Sequence, residues 1–201
     1  MRRGAVVLCG GRSVRMGRPK ALLPFGNETL LQRVVRIVDE VVGDVVVVRH
    51  EGQELPELPA HVLVVDDEVD DQGPLGGLIP GLKASDADAV FATGCDVPFL
   101  QPAFIEALFT AIGTNGIAVA ETEGFTHPLA AVYRTSTWPV MAQLLAAGRR
   151  RPVFLFDEVN TTRVTDEQLR LVDPELRSLE NVNTPEAYEA ALAQLSEQER
   201  S

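Results

Sequence analysis

Val45-Val46-Val47-Val48 is apolar at four successive positions, and that run restricts the fold more than any other feature of the chain. Successive side chains of a strand point to opposite faces, so a strand apolar throughout must be covered on both sides. Upstream, Leu30, Leu31, Val34, Val35, Ile37, Val38, Val41 and Val42 follow the helical period, with Asn27 read as the cap and Gly43-Asp44 as the stop. Buried strands are also expected over residues 3–8 and 89–93, and a further strand over 62–65. Pro56 and Pro59 break the chain before residues 62–65. A helix is expected near Pro74, made short or kinked by Pro80 and Gly81.

Further along, Pro102 suits the start of a helix that carries Phe104, Ile105, Leu108, Phe109 and Ile112 on one face. Strands are expected at 117–121 and 130–133, a helix at 136–147, and buried side chains at 154–156. Thr184 as cap and Pro185 as first residue begin a helix that runs to about residue 195, ahead of a polar, frayed tail over 196–201. Strands alternating with helices imply a three-layer α/β/α fold around a mostly parallel sheet. At 201 residues the chain reads as a single domain, 1–201, with no linker-like stretch.

The first strand runs straight into Cys9-Gly10-Gly11-Arg12-Ser13-Val14-Arg15-Met16-Gly17-Arg18-Pro19-Lys20, a loop with three glycines, three arginines, one lysine and no acid. Glycines let backbone N–H groups approach a phosphate closely, and cations balance its charge. At the carboxyl end of a first strand, such a loop lies where an open α/β sheet takes its ligand. It reads as a nucleoside triphosphate site, the plain alternative being a solvated turn. Two other phosphate loops are excluded. Five residues separate Gly11 from Gly17 and Ala21 follows Lys20, which breaks the Walker pattern; adjacent Gly10 and Gly11 break G-x-G-x-x-G.

Charge distribution supports this reading. Six of the 18 Lys and Arg fall in residues 1–20, which hold no acid, while the other twelve share the remaining 181 residues with all 29 Asp and Glu. A local positive field can attract a polyphosphate although the net charge of −11 argues against a nucleic-acid or membrane-surface binder. The amino terminus is too short in apolar residues for a signal peptide, and no stretch reaches membrane-spanning length, so a cytoplasmic protein is expected. Cys9 and Cys95 read as reduced thiols filling small spaces. Three scattered histidines and two separated cysteines give no zinc spacing.

Five blocks, taken in order, carry a family resemblance: Leu8 to Pro24; Gly73-Pro74-Leu75-Gly76-Gly77-Leu78; Cys95-Asp96-Val97-Pro98-Phe99-Leu100; His127-Pro128-Leu129-Ala130-Ala131-Val132-Tyr133-Arg134; and Asn181-Val182-Asn183-Thr184-Pro185-Glu186. Together they resemble the molybdenum cofactor guanylyltransferases (the MobA-like family) of the nucleotidyltransferase superfamily, whose sheet is Rossmann-like. The resemblance implies transfer of GMP from GTP to molybdopterin, with Mg2+ as cofactor and with transient contacts to other cofactor-biosynthesis or molybdoenzyme proteins. It implies a nucleotide-binding half over 1–100 and an acceptor half over 101–195.

Nucleotide contacts are implied for Leu8, Cys9, Gly10, Gly11, Lys20, Asp66 and Asp96. Catalysis falls to Lys20 and Asp96 with Arg15 in support, and metal binding to Asp96. Asn183 resembles a second metal or phosphate contact of related sugar nucleotidyltransferases. Read without the family, Asp96 is a turn residue ahead of Pro98, Lys20 a solvated loop end, Asp66 part of an acidic loop with Asp67, Asp70 and Asp71, and Asn183 a turn residue before a helix. The chain departs from the family at Arg49-His50, where an Asn-Arg pair is usual, and at Cys9, which replaces an alanine. Arg149-Arg150-Arg151 is read either as a contact for the acceptor's phosphate or as a solvated run. His127 is read as ordering the acceptor side. Three rivals remain: a cytidylyltransferase for the same acceptor, another small-molecule nucleotidyltransferase, and a non-catalytic nucleotide-binding adaptor of this fold. Adjacent Gly10 and Gly11 favour guanine, because the cytidylyl relatives usually carry Ala-Ala-Gly there.

Overall fold

The expected strand at residues 3–8 is present and lies near the middle of a seven-stranded sheet. The computed structural model describes residues 1–9, 19–67 and 73–198. In chain order, β1 (Arg3–Leu8) is followed by a 3-10 turn (Lys20–Leu22), the small hairpin of β2 (Pro24–Phe25) and β3 (Glu28–Thr29), then α1 (Leu30–Asp39) and β4 (Asp44–His50). Next come β5 (Leu63–Asp67), α2 (Gly73–Ala84), β6 (Ala89–Gly94), α3 (Pro102–Ala111), β7 (Ile117–Thr122) and β8 (Phe125–Arg134). A second 3-10 turn (Thr135–Thr137), α4 (Trp138–Ala146), α5 (Val153–Glu158), β9 (Thr161–Thr165), α6 (Asp166–Leu169), a third 3-10 turn (Arg177–Leu179) and α7 (Pro185–Gln198) complete it.

The sheet order is β5-β4-β1-β6-β8-β7-β9, parallel throughout except for β8. The double burial expected of the apolar strands is realised residue by residue. Ala5, Val7, Val45 and Val47 face one layer, packed with Leu31, Val34, Val35 and Val38 of α1 and Phe104, Ile105 and Leu108 of α3. Val6, Val46 and Val48 face the other, against Leu75, Leu78 and Leu82 of α2 and Met141 and Leu144 beyond them. A third cluster, built from Leu23, Phe25, Leu30, Phe99, Val182, Ala191 and Leu195, seats α7 beside the hairpin.

Several local expectations are corrected. The cap of α1 is Thr29 and not Asn27: its hydroxyl accepts from the Gln32 N–H, and the Gln32 side chain accepts from the Thr29 N–H. Asn27 instead sits in the β2–β3 turn, after Gly26 with φ of 66°. Far from being short, α2 continues through Pro80. Its Gly77 and Gly81 lie against β1, where a Cβ on Gly81 would fall 2.5 Å from Val6 Cγ1, so tight packing on the sheet outweighs poor helix propensity. Residues 117–134 form one antiparallel hairpin, closed by Glu123 and Gly124 at φ of 52° and 78°. Strand β9 was not expected at all, and Phe154 is only half-buried while Leu155 and Phe156 are buried. The last helix reaches Gln198; residues 199–201 lie outside the described residues.

Candidate active site

The carboxyl ends of the parallel strands converge on one edge of the sheet, and the candidate residues collect there. Cys9 continues β1, with its N–H donating to the Val48 carbonyl at 2.8 Å. Cys95 continues β6, with its N–H donating to the Leu8 carbonyl at 3.1 Å. Asp96 follows at the turn out of β6. Its own carbonyl accepts from the Val182 N–H at 2.8 Å, which pins the segment ahead of α7 against this turn.

That pin brings three distant parts of the chain together. Lys20 Nζ donates to Asp96 Oδ2 at 2.8 Å and to Asn183 Oδ1 at 2.5 Å. The Lys20 and Asp96 side chains keep only 19% and 17% of their exposure, so most of the water around this ion pair has been replaced by protein. Lys20 is held from below by its 3-10 turn, in which Leu22 and Leu23 donate to the carbonyls of Pro19 and Lys20 and Ala21 is fully buried. Asn183 is carried by a segment knotted at Asp173, whose buried carboxylate accepts from the N–H groups of Arg177 and Ser178. The Ser178 hydroxyl in turn accepts from the Gln101 N–H, fixing the knot to the start of α3.

Gly94 was not singled out from the sequence, yet the site depends on it. A Cβ there would sit 2.5 Å from Asp96 Oδ1, so the carboxylate folds back over space that only glycine leaves open. Gly94→Ala is therefore expected to push the carboxylate aside. Since the displaced atom ends a flexible side chain, stability should change by less than about 1 kcal/mol while turnover falls about 10- to 100-fold, in keeping with the cost of a misplaced catalytic group. Steady-state kinetics beside a denaturant curve checks this.

The other expected residues fall as follows. Leu8 ends β1 and packs toward Gly77 of α2. Asp66, in β5, receives a hydrogen bond from Arg49 Nε at 2.7 Å. Gly10, Gly11 and Arg15, with the rest of residues 10–18, and Asp70 and Asp71 lie outside the described residues. Cys9 and Cys95 are free, buried and in contact; the hydrogen bond between the thiols, together with burial, raises the Cys9 thiol well above its usual range. The Cys9 thiol is thus not a nucleophile near neutral pH. His127 pairs through Nε2 with the Thr122 hydroxyl at 2.7 Å, and burial lowers its pKa, which keeps it neutral at pH 7. Arg149 is engaged by Glu158 at 2.9 Å and lies over the Phe154 ring.

A basic side chain clasped by two oxygen acceptors at the carboxyl edge of a mostly parallel sheet, next to the end of β1, is the layout of a nucleotidyltransferase. The chain belongs to the MobA-like NTP transferase family, whose domain model matches residues 5–161. It is 40% identical over 200 residues to a protein of Mycobacterium avium named probable molybdenum cofactor guanylyltransferase, covering 96% of each chain. A Methanosarcina mazei protein of the same name is 33% identical over 211 residues, covering 97% of this chain and 92% of that one. The fold matches the crystal structure of molybdopterin-guanine dinucleotide biosynthesis protein A from Archaeoglobus fulgidus with a TM-score of 0.80, at 21% identity and over 96% and 99% of the two chains. Among the described residues, no helix is long and apolar enough to cross a membrane.

Proposed function

We propose that this chain transfers GMP from GTP to the terminal phosphate of molybdopterin, free or carrying molybdenum, and releases pyrophosphate. The observation that carries this reading is the meeting of Lys20, Asp96 and Asn183, in a chain 33–40% identical to proteins that bear the guanylyltransferase name. An oxygen of the acceptor phosphate attacks the α-phosphorus of GTP; the bond from that phosphorus to the bridging oxygen breaks, and pyrophosphate leaves with the electron pair. The attacking oxygen is already anionic, so no base has to remove a proton. That suits a site whose histidine, His127, is engaged elsewhere.

The work left to the protein is placement and charge balance. Lys20 supplies a compact cation beside the transferred phosphoryl group. The main chain around Leu8 and Cys9, with Gly10 and Gly11, provides close backbone contact for the nucleotide, and Asp66 offers a carboxylate from the end of β5, two strands away. Arg15 adds positive charge in support. Asp96 and Asn183 present two hard oxygen atoms that already converge on one cation, the Lys20 ammonium, and the same pair fits Mg2+, which binds through few protein oxygens. When bound, that ion supplies charge neutralisation for the triphosphate. A reducing cytoplasmic setting belongs to this reading, the two thiols being unbridged.

The test is nucleotide choice. Purified protein supplied with Mg2+, molybdopterin and GTP, CTP or UTP in turn is expected to release pyrophosphate with a kcat/KM for GTP about 10⁴-fold above the other two, the discrimination that a site built to hydrogen-bond its base provides. Faster turnover with CTP overturns the guanylyl assignment.

A further inference from the structure

Three adjacent strand ends lie in one row at the rim of the site. Leu8 pairs with Val48 across β1 and β4, and Arg49 pairs with Asp66 across β4 and β5, so Cys9, Arg49 and Asp66 are neighbours. A continuous hydrogen-bonded chain links them. Arg49 Nε donates to Asp66 Oδ1 at 2.7 Å, and Arg49 Nη1 donates to the Gln53 carbonyl at 3.1 Å. The Gln53 carboxamide then works at both ends: Oε1 accepts from the His50 N–H at 3.1 Å, and Nε2 donates to the Cys9 carbonyl at 3.2 Å.

Arg49 and Asp66 remain 32% and 40% exposed, so solvent has access to them and the core does not force this geometry. What the links do fix is the distance between the main chain entering the first loop and a carboxylate two strands away. We propose that Arg49 and Gln53 are positioning residues for the nucleotide base, bracing the Cys9 main chain and the Asp66 carboxylate into one preorganised guanine site. This rests on the reading that both groups touch the nucleotide. With Oδ1 engaged by Arg49, Asp66 presents Oδ2 to the donors that guanine carries at N1 and N2. Cytosine offers one donor group on its pairing edge and turns its acceptors toward the carboxylate.

Calorimetric binding of GTP, of ITP (which lacks the 2-amino group) and of CTP, with Mg2+ and without acceptor, tests the brace alongside steady-state kinetics. Arg49→Ala and Gln53→Ala are each expected to weaken GTP binding about tenfold, the worth of one well-placed charge-assisted bond. The preference for GTP over ITP should shrink, and KM should rise while kcat holds within about twofold, as for loss of uniform binding. Arg49→Lys recovers part of the affinity, because an ammonium reaches Asp66 but lacks the fork that also holds the Gln53 carbonyl. Gln53→Glu keeps an acceptor for the His50 N–H while setting a carboxylate against the Cys9 carbonyl, so it should bind GTP no better than Gln53→Ala.

Unchanged GTP affinity in the alanine variants overturns the proposal. So does Gln53→Glu at wild-type affinity, which would reduce the glutamine to a support for its own turn. Equal losses for GTP, ITP and CTP with a lowered Tm would assign both residues to the fold and also overturn it. Failure of the wild type to transfer GMP to molybdopterin would sink the functional reading, whereas the affinities still decide the brace.

Discussion

Asp96→Ala is expected to lower kcat by about a thousandfold or more, the scale on which removing one preorganised group that balances transition-state charge is felt. The carboxylate sits at the turn after β6, bonded to Lys20 at 2.8 Å, and contributes little to the core. Removing one partner of a buried ion pair is usually costly because the other charge is stranded. Here the Lys20 ammonium keeps Asn183 Oδ1 and some access to water, which limits the stability loss to about 1 kcal/mol. Pyrophosphate release and a urea curve on the same preparation separate the two effects. Near-normal turnover in this variant would remove Asp96 from the metal role. Asp96→Asn, which keeps the shape and one hydrogen bond, should recover the fold fully and the activity hardly at all.

Lys20→Ala is expected to reduce kcat about a hundredfold, and it makes a second, opposite prediction about metal. In the present structure the ammonium occupies the oxygens of Asp96 and Asn183. Deleting it removes a competing charge from that pair, so Mg2+ titrated without nucleotide should bind the variant more tightly than the wild type, by about tenfold for a gain near 1.4 kcal/mol. A purely structural lysine would lower the Tm and leave metal affinity unmoved. Lys20→Arg should not rescue turnover, because a planar guanidinium cannot take the place of a compact ammonium between two converging oxygens.

The sheet could be read from the chain because three of its inner strands, β1, β4 and β6, carry unbroken apolar runs. Residues 5–8, 45–48 and 89–92 have no polar side chain that could face water, so both faces of each run have to be covered. Elements whose signal is not hydrophobic were misread or missed. Strand β9 has one buried residue, Val164, in a run of threonines and an arginine at the sheet's edge. The run Gly76-Gly77-Leu78-Ile79-Pro80-Gly81 looks like a break, and becomes helix only because the sheet beneath it requires residues without Cβ atoms. The capping box was visible as Thr29 and Gln32, but Asn27 offered an equally good cap two residues earlier.

The site divides in the same way. Lys20, Asp96 and Asn183 carry charged or amide groups inside recurrent blocks, so their chemistry announces them. Gly94 and Gln53 act by what they leave empty or what they hold still, properties that exist only once strands lie side by side. The apparent gap at Arg49-His50 belongs to this class: no asparagine stands there, and the arginine instead ties its neighbour's carboxylate to the following turn.

The position of Asn183 has a consequence for the order in which the cluster can assemble. Lys20 and Asp96 lie inside the segment matched by the family model, whereas Asn183 lies 22 residues beyond its end at residue 161. A chain whose sheet is already assembled therefore still has one side of the Lys20 clasp open until the segment ahead of α7 docks.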